Sequence, residues 1–104
     1  MGQGAYTAVN GERAYMQPGD LILTPSWAWH DHGNDTESPV GWLDGLDIPL
    51  IESLGLGFAE PHPDATHESV RPSGDALARF GSMLLPVERP QAGLASPVFN
   101  YPYA

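Results

Sequence analysis

Apolar and polar positions along Gly4-Ala5-Tyr6-Thr7-Ala8-Val9 and Glu12-Arg13-Ala14-Tyr15-Met16 suit two short strands, separated by Asn10-Gly11. Asn-Gly supplies the positive φ angles of a type I′ turn, so this segment predicts a β-hairpin. Gln17-Pro18-Gly19-Asp20 forms the next turn and leads into the apolar run Leu21-Ile22-Leu23-Thr24, which Pro25 ends. The run is short and flanked by breakers, and it reads as a buried strand. Residues 29–33 predict a further strand, 34–39 a polar turn and 40–46 another strand. So many short antiparallel strands in so little chain is the density of a barrel or sandwich.

The pattern then changes. Asp47-Ile48-Pro49-Leu50-Ile51-Glu52-Ser53-Leu54 reads as a short helix, with Asp47 as N-cap, proline in the first turn and Gly55 or Gly57 closing it. Residues 60–73, with Pro61, His62-Pro63 and Arg71-Pro72, have loop composition, because proline removes backbone donors. Residues 74–85 have room for a helical turn or more. Residues 86–104, with Pro86, Pro90, Pro97 and Pro102, predict an extended tail that needs other surface to pack against. The chain thus divides into a β-domain with a short helix at its end, residues 1–58, and a proline-rich irregular arm, residues 59–104. No internal repeat, low-complexity tract or heptad interrupts this order.

Composition narrows the choice. At 104 residues there is room for one core, and 11 Pro with 12 Gly exclude long helices. Four arginines, no lysine and 13 acidic residues give a net charge of −9, which repels nucleic acid and anionic membranes alike. The chain has no cysteine for a disulfide framework, and its first residues lack the basic and apolar regions of a signal peptide, so a soluble, cytoplasmic protein is expected.

Histidine carries the candidate chemistry. Side chains alternate faces along a strand, so His30 and His32 point one way while Trp29 and Asp31 point the other. Two adjacent imidazoles can chelate one metal ion; alternatively one ligates while the other hydrogen-bonds what sits on the metal. A lone His-x-His on a strand is often neither. Trp27, Trp29 and Trp42 suit the wall of an aromatic pocket and equally suit a core or an interface. Asp44 can orient His32 by accepting from its second ring nitrogen, or can cap a helix, which is the favoured role for Asp47. His62 and His67 fall in the proline-rich loop and read as solvated. The arginines at 13, 71, 79 and 89 are scattered. Phosphate loops, nucleophile elbows, thiol sites and basic stripes are all absent from the sequence.

The flanks of the histidine pair decide between these readings. Gly19, five residues, Pro25, one residue, Trp27, two residues, His30, three residues and Asn34 follow the spacing of the second metal-binding motif of the cupin superfamily, with Trp27 where a typical cupin has glycine. Together with Trp29 and Trp42-Leu43-Asp44-Gly45-Leu46-Asp47-Ile48-Pro49, the chain resembles the gentisate 1,2-dioxygenase family. Leu84-Leu85-Pro86 and Ser96-Pro97-Val98-Phe99-Asn100-Tyr101-Pro102-Tyr103 resemble the linker between that family's two cupin domains.

The resemblance implies a mostly β fold: a partial cupin, a jelly-roll-like antiparallel barrel, with a short helix and an extended tail. It implies Fe(II) held by three neutral histidines, and O₂-dependent opening of an aromatic hydroxy-acid ring between its carboxyl- and hydroxyl-bearing carbons. Gentisate would give maleylpyruvate. His30 matches an iron ligand, His32 the neighbour that contacts substrate and relays a proton, and Asp44 an aspartate close to both. Two further ligands belong to a His-x-His strand N-terminal to this segment, and the chain is expected to begin after it. Its iron site is therefore expected to be incomplete, and a homo-oligomer or a complementing chain is expected as partner. Two alternatives stand beside this reading: a non-catalytic, degenerate cupin module, and the same chemistry on salicylate or 1-hydroxy-2-naphthoate.

Overall fold

A computed structural model describes residues 1–66, 68–81 and 97–103. Strands β1 (Ala5–Val9) and β2 (Glu12–Tyr15) form the expected hairpin, with Tyr6 opposite Tyr15 and Val9 opposite Glu12. Asn10 and Gly11 carry φ angles of 47° and 81°, the pair of positive values that a type I′ turn requires and that this dipeptide tolerates. Beyond β3 (Leu21–Ile22) comes β4 (His30–Asn34), which pairs antiparallel with the other edge of β1 and sets Thr7 opposite His32 and Val9 opposite His30. The resulting sheet has the order β2-β1-β4. The hairpin tip fastens the start of β4. Asn10 N–H donates to the Trp29 carbonyl at 2.9 Å, and Trp29 N–H donates to Asn10 Oδ1 at 3.1 Å.

Helices α1 (Ile48–Ser53) and α2 (Asp75–Phe80) follow, and then β5 (Asn100–Tyr101), which pairs antiparallel with β3. The tail thus finds the surface it needs. Leu23 N–H donates to the Phe99 carbonyl, and Tyr103 N–H to Asp20 Oδ1. Gly19 makes the seat possible: its φ is +95°, and a side chain there would strike the Tyr103 ring. Val9, Ala14, Ala76 and Phe99 make the buried apolar cluster, on the sheet face that also carries the histidines. A carboxylate lies beside it. Glu12 is buried, and both its oxygens accept from Ala76 N–H in the first turn of α2, at 3.1 and 3.0 Å.

The fold is the expected one, mostly β and cupin-like, with several local corrections. Residues 40–46 form no strand. Gly41 and Gly45 interrupt them, the backbone hydrogen bonds they make among the described residues are the two between Gly41 and Met1, and Leu43 is 96% exposed. The run at 21–24 is shorter than expected and is not buried, since Leu21 and Leu23 are exposed on a ribbon whose partner is the two-residue β5. Asp47 precedes α1, but its side chain caps nothing. The opposite end carries the order instead: Gly55 N–H donates to Glu52 O and Leu56 N–H to Ile51 O, the paired bonds of a Schellman motif. The helical turn expected within 74–85 is α2; Leu84, Leu85, Pro86, Arg89, Pro90 and His67 lie outside the described residues. Among the described residues no helix is long and apolar enough to cross a membrane.

Trp27 has a backbone that explains the motif. It is the third residue of a turn closed by Ala28 N–H donating to Pro25 O, and its φ is 62°. A left-handed residue at that place is where cupins keep glycine, and a Cβ there costs roughly 1–2 kcal/mol. The ring is 85% exposed and stacks on Phe58 at 4.7 Å between centroids.

Two stability measurements check this description. Urea unfolding should show Trp27→Gly more stable than Trp27→Ala by about 1 kcal/mol, because both lose the Phe58 stack and only glycine relieves the backbone. Glu12→Ala should cost between about 1 and 3 kcal/mol by leaving a buried N–H without an acceptor, and Glu12→Gln distinctly less.

Candidate functional site

His30 and His32 come to one face because β4 is extended and pairs in register with β1, so alternate side chains turn toward the core side of the sheet. Their rings lie 5.7 Å apart between centroids and nearly edge to face, at 69°. Together they line a cavity of about 900 Å³, whose wall also includes Thr7, Trp42, Asp44 and Val98. The volume suits a small aromatic acid. Trp42 lies over His32, with centroids 5.7 Å apart and planes tilted by 34°.

The hydrogen bonds treat the two histidines differently. His30 Nδ1 faces the Ala28 carbonyl at 3.4 Å; a carbonyl only accepts, so a neutral His30 bonded there has its proton on Nδ1 and its lone pair on Nε2. His32 Nδ1 meets Thr7 Oγ1 at 3.0 Å. Asp44 is exposed and shares the cavity; the side-chain partner that holds His32 is Thr7. Thr7 escaped the sequence reading. Its signal was a hydroxyl at the middle of the alternate positions Ala5, Thr7 and Val9, on a strand buried throughout.

The other two tryptophans lie elsewhere. Trp29 turns to the opposite face of β4 and packs edge-on against His62, centroids 4.9 Å apart, beside a second, shallower cavity of about 430 Å³. His62 is half-buried there, with Nδ1 accepting from Asp64 N–H at 3.0 Å, and is less solvated than a loop histidine was expected to be. Trp27 stacks on Phe58, outside the wall of the larger cavity.

The remaining motif residues build the frame. Asn34 Oδ1 accepts from the backbone N–H of Thr36 and from its hydroxyl, and Asn34 Nδ2 donates to Ser38 O, so one side chain closes the 34–38 turn. The described arginines stay away from the cavity. Arg13 covers the Tyr6 ring on the other face of the sheet and pairs with Asp35, Arg79 pairs with Asp75, and the backbone of Arg71 bridges to Glu12.

Among the described residues no three histidine, cysteine, aspartate or glutamate side chains converge where a metal ion could sit. Among these residues His30 and His32 are two imidazoles without a third donor. The residues described here do not complete the three-histidine set that the motif implies.

Comparison with known proteins agrees with the motif. The cupin domain family matches residues 1–46. Gentisate 1,2 dioxygenase 1 of Aquipseudomonas alcaligenes is 53% identical over 102 residues, which are 98% of this chain and 29% of that protein. A 1-hydroxy-2-naphthoate 1,2-dioxygenase of Nocardioides sp. (strain KP7) is 54% identical over 69 residues, 66% of this chain and 18% of that one. Among solved structures, a salicylate 1,2-dioxygenase from Pseudaminobacter salicylatoxidans superimposes with a TM-score of 0.75 and 38% identity, over 98% of this chain and 29% of that one. The chain therefore spans less than a third of the length of these relatives. The spacing of Gly19, Pro25, His30 and Asn34, the cavity built on their strand and the similarity along nearly the whole chain agree: this chain belongs to the gentisate 1,2-dioxygenase family of cupin proteins.

Proposed function

We propose that this chain supplies one wall of the substrate site of a dioxygenase that opens the ring of gentisate with O₂, giving maleylpyruvate. The observation that carries the reading is the joint exposure of His30, His32, Trp42 and Asp44 to one cavity, in a chain 53% identical to a gentisate 1,2 dioxygenase over 98% of its length. Each residue has work its chemistry suits. The Nε2 lone pair of His30 makes it one donor for Fe(II), with the remaining donors supplied from outside the described residues. His32 reaches the substrate's oxygen atoms and passes a proton at Nε2. Trp42 offers an aromatic face beside His32, and Asp44 adds an acceptor at the same wall. Trp27 and Trp29 act on this site only through the position of β4.

A partner belongs to the reading. Helix α1 has no buried residue although Ile48 and Leu50 in it and Leu54 just past its end are apolar, and such a surface is ordinarily covered. Another copy of the chain, or the remainder of a longer one, would cover it and supply the missing donors. The same chemistry on salicylate or 1-hydroxy-2-naphthoate is the second reading, favoured by the likeness to enzymes named for those acids.

The test is a chimera. This chain replaces the matching segment of the Aquipseudomonas alcaligenes enzyme, and ring opening is followed by the product's near-ultraviolet absorbance with gentisate, salicylate and 1-hydroxy-2-naphthoate in turn. Gentisate should be the best substrate. His30→Ala should lose iron and activity together. His32→Ala should keep most of the iron and lose turnover by about 10²-fold or more. Equal loss of iron in both variants would mean that the pair chelates, and a folded, iron-loaded chimera inert toward all three acids would leave the non-catalytic module as the reading.

The chain by itself should bind Fe(II) weakly and form no product from gentisate, since two imidazoles do not replace three fixed ones. Stoichiometric iron with steady turnover would overturn this, and His62 and His67 would be the next side chains to mutate.

A further inference from the structure

We infer that Thr7 is a positioning residue, which holds neutral His32 in the tautomer protonated at Nε2, so that His32 presents a hydrogen-bond donor, and no lone pair, to the cavity. Thr7 is the largest fully buried side chain of the chain's described part, on the central strand and directly across the ladder from His32. A buried hydroxyl proton needs an acceptor, and leaving it without one costs more than the bond itself contributes. His32 Nδ1, at 3.0 Å, is the hydrogen-bond partner of Thr7 Oγ1 in the structure. With the hydroxyl donating, Nδ1 is the acceptor of the neutral ring. The proton then sits on Nε2, the nitrogen left for the cavity.

His30 is held the other way round, because its Nδ1 must donate to the Ala28 carbonyl. Two neighbouring imidazoles are thereby made chemically unlike by their backbone-side partners: His30 offers a lone pair, His32 an N–H. A pair in this state divides the work and does not chelate. The consequence for recognition follows from charge. Among the described residues no arginine lines the cavity, so the N–H of His32 is a donor available there for an anionic oxygen of an aromatic acid. This deepens the reading of His32 as the substrate-facing histidine and rests on it for its functional sense; the tautomer itself is measured without turnover.

The experiment is long-range ¹H–¹⁵N correlation of the histidine side chains in the ¹⁵N-labelled chain at a pH where His32 is neutral. Expected are a pyridine-like Nδ1 and a protonated Nε2 for His32, with the reverse pattern for His30. Thr7→Val, which keeps the shape and removes the hydroxyl, should move His32 to a mixture of tautomers, and Thr7→Ser should restore the single form. An Nδ1-protonated His32 in the unmodified chain overturns the inference. So does a Thr7→Val spectrum in which the His32 nitrogens are unchanged. If Thr7→Val does not fold, Thr7→Ala, which also removes the hydroxyl, decides the matter by the same readout. Failure of the chimera to open any ring, with these spectra as expected, would refute the enzymatic reading and leave the role of Thr7 standing.

Discussion

The register between β1 and β4 governs nearly everything that this chain can do. Side chains on a strand alternate with a period of two residues, so a slip of one position would carry His30 and His32 to the far side of the sheet and bring Asp31 and Gly33 to the cavity. Several independent features hold the register. Asn10 exchanges two hydrogen bonds with Trp29 at one end of the ladder, and Asp35 N–H reaches Gly4 O at the other. Between them Gly33 lies under the ring of Tyr6, so close that a side chain at 33 would strike it. On the histidine face Thr7 reaches His32. A shift would break all of these contacts together.

Around that ladder the motif residues act mainly as framework. Gly19 admits the tail, the Pro25 turn aims the chain into β4, and Asn34 closes the turn that follows it. The chemistry is left to His30 and to a neighbour two residues along. Trp27 shows how strict the frame is: the turn keeps a glycine-like φ of 62° even though it carries the bulkiest of side chains.

What could be read in the sequence was what short-range chemistry determines. Asn10-Gly11 fixes its own turn, and the alternation of His30 with His32 needs only an extended backbone. The strand expected at 40–46 depended on a neighbouring edge, which local composition does not report, and in the structure two backbone bonds between Met1 and Gly41 take the place of a ladder. Leu21 and Leu23 are apolar yet exposed, because their ribbon pairs with a segment from the far end of the chain. For the site, the histidines and the motif spacing were legible. The separation of Trp42 from Trp27 and Trp29 was not, because it depends on where loops lie in space. Thr7 was hidden for a related reason: its partner is settled by the ladder, not by the sequence around it.

The ribbon between β3 and β5 has a consequence for time as well as shape. It rests on two residue pairs, Leu21 with Tyr101 and Ile22 with Asn100, and it closes the longest loop of any strand pairing among the described residues. Short ladders that close long loops open at the smallest free-energy cost, well before a central sheet does. Leu21, Ile22, Leu23 and Val98 from this ribbon also line the larger cavity. Opening of the tail would therefore reshape the wall of that cavity from a point far along the chain from His30 and His32.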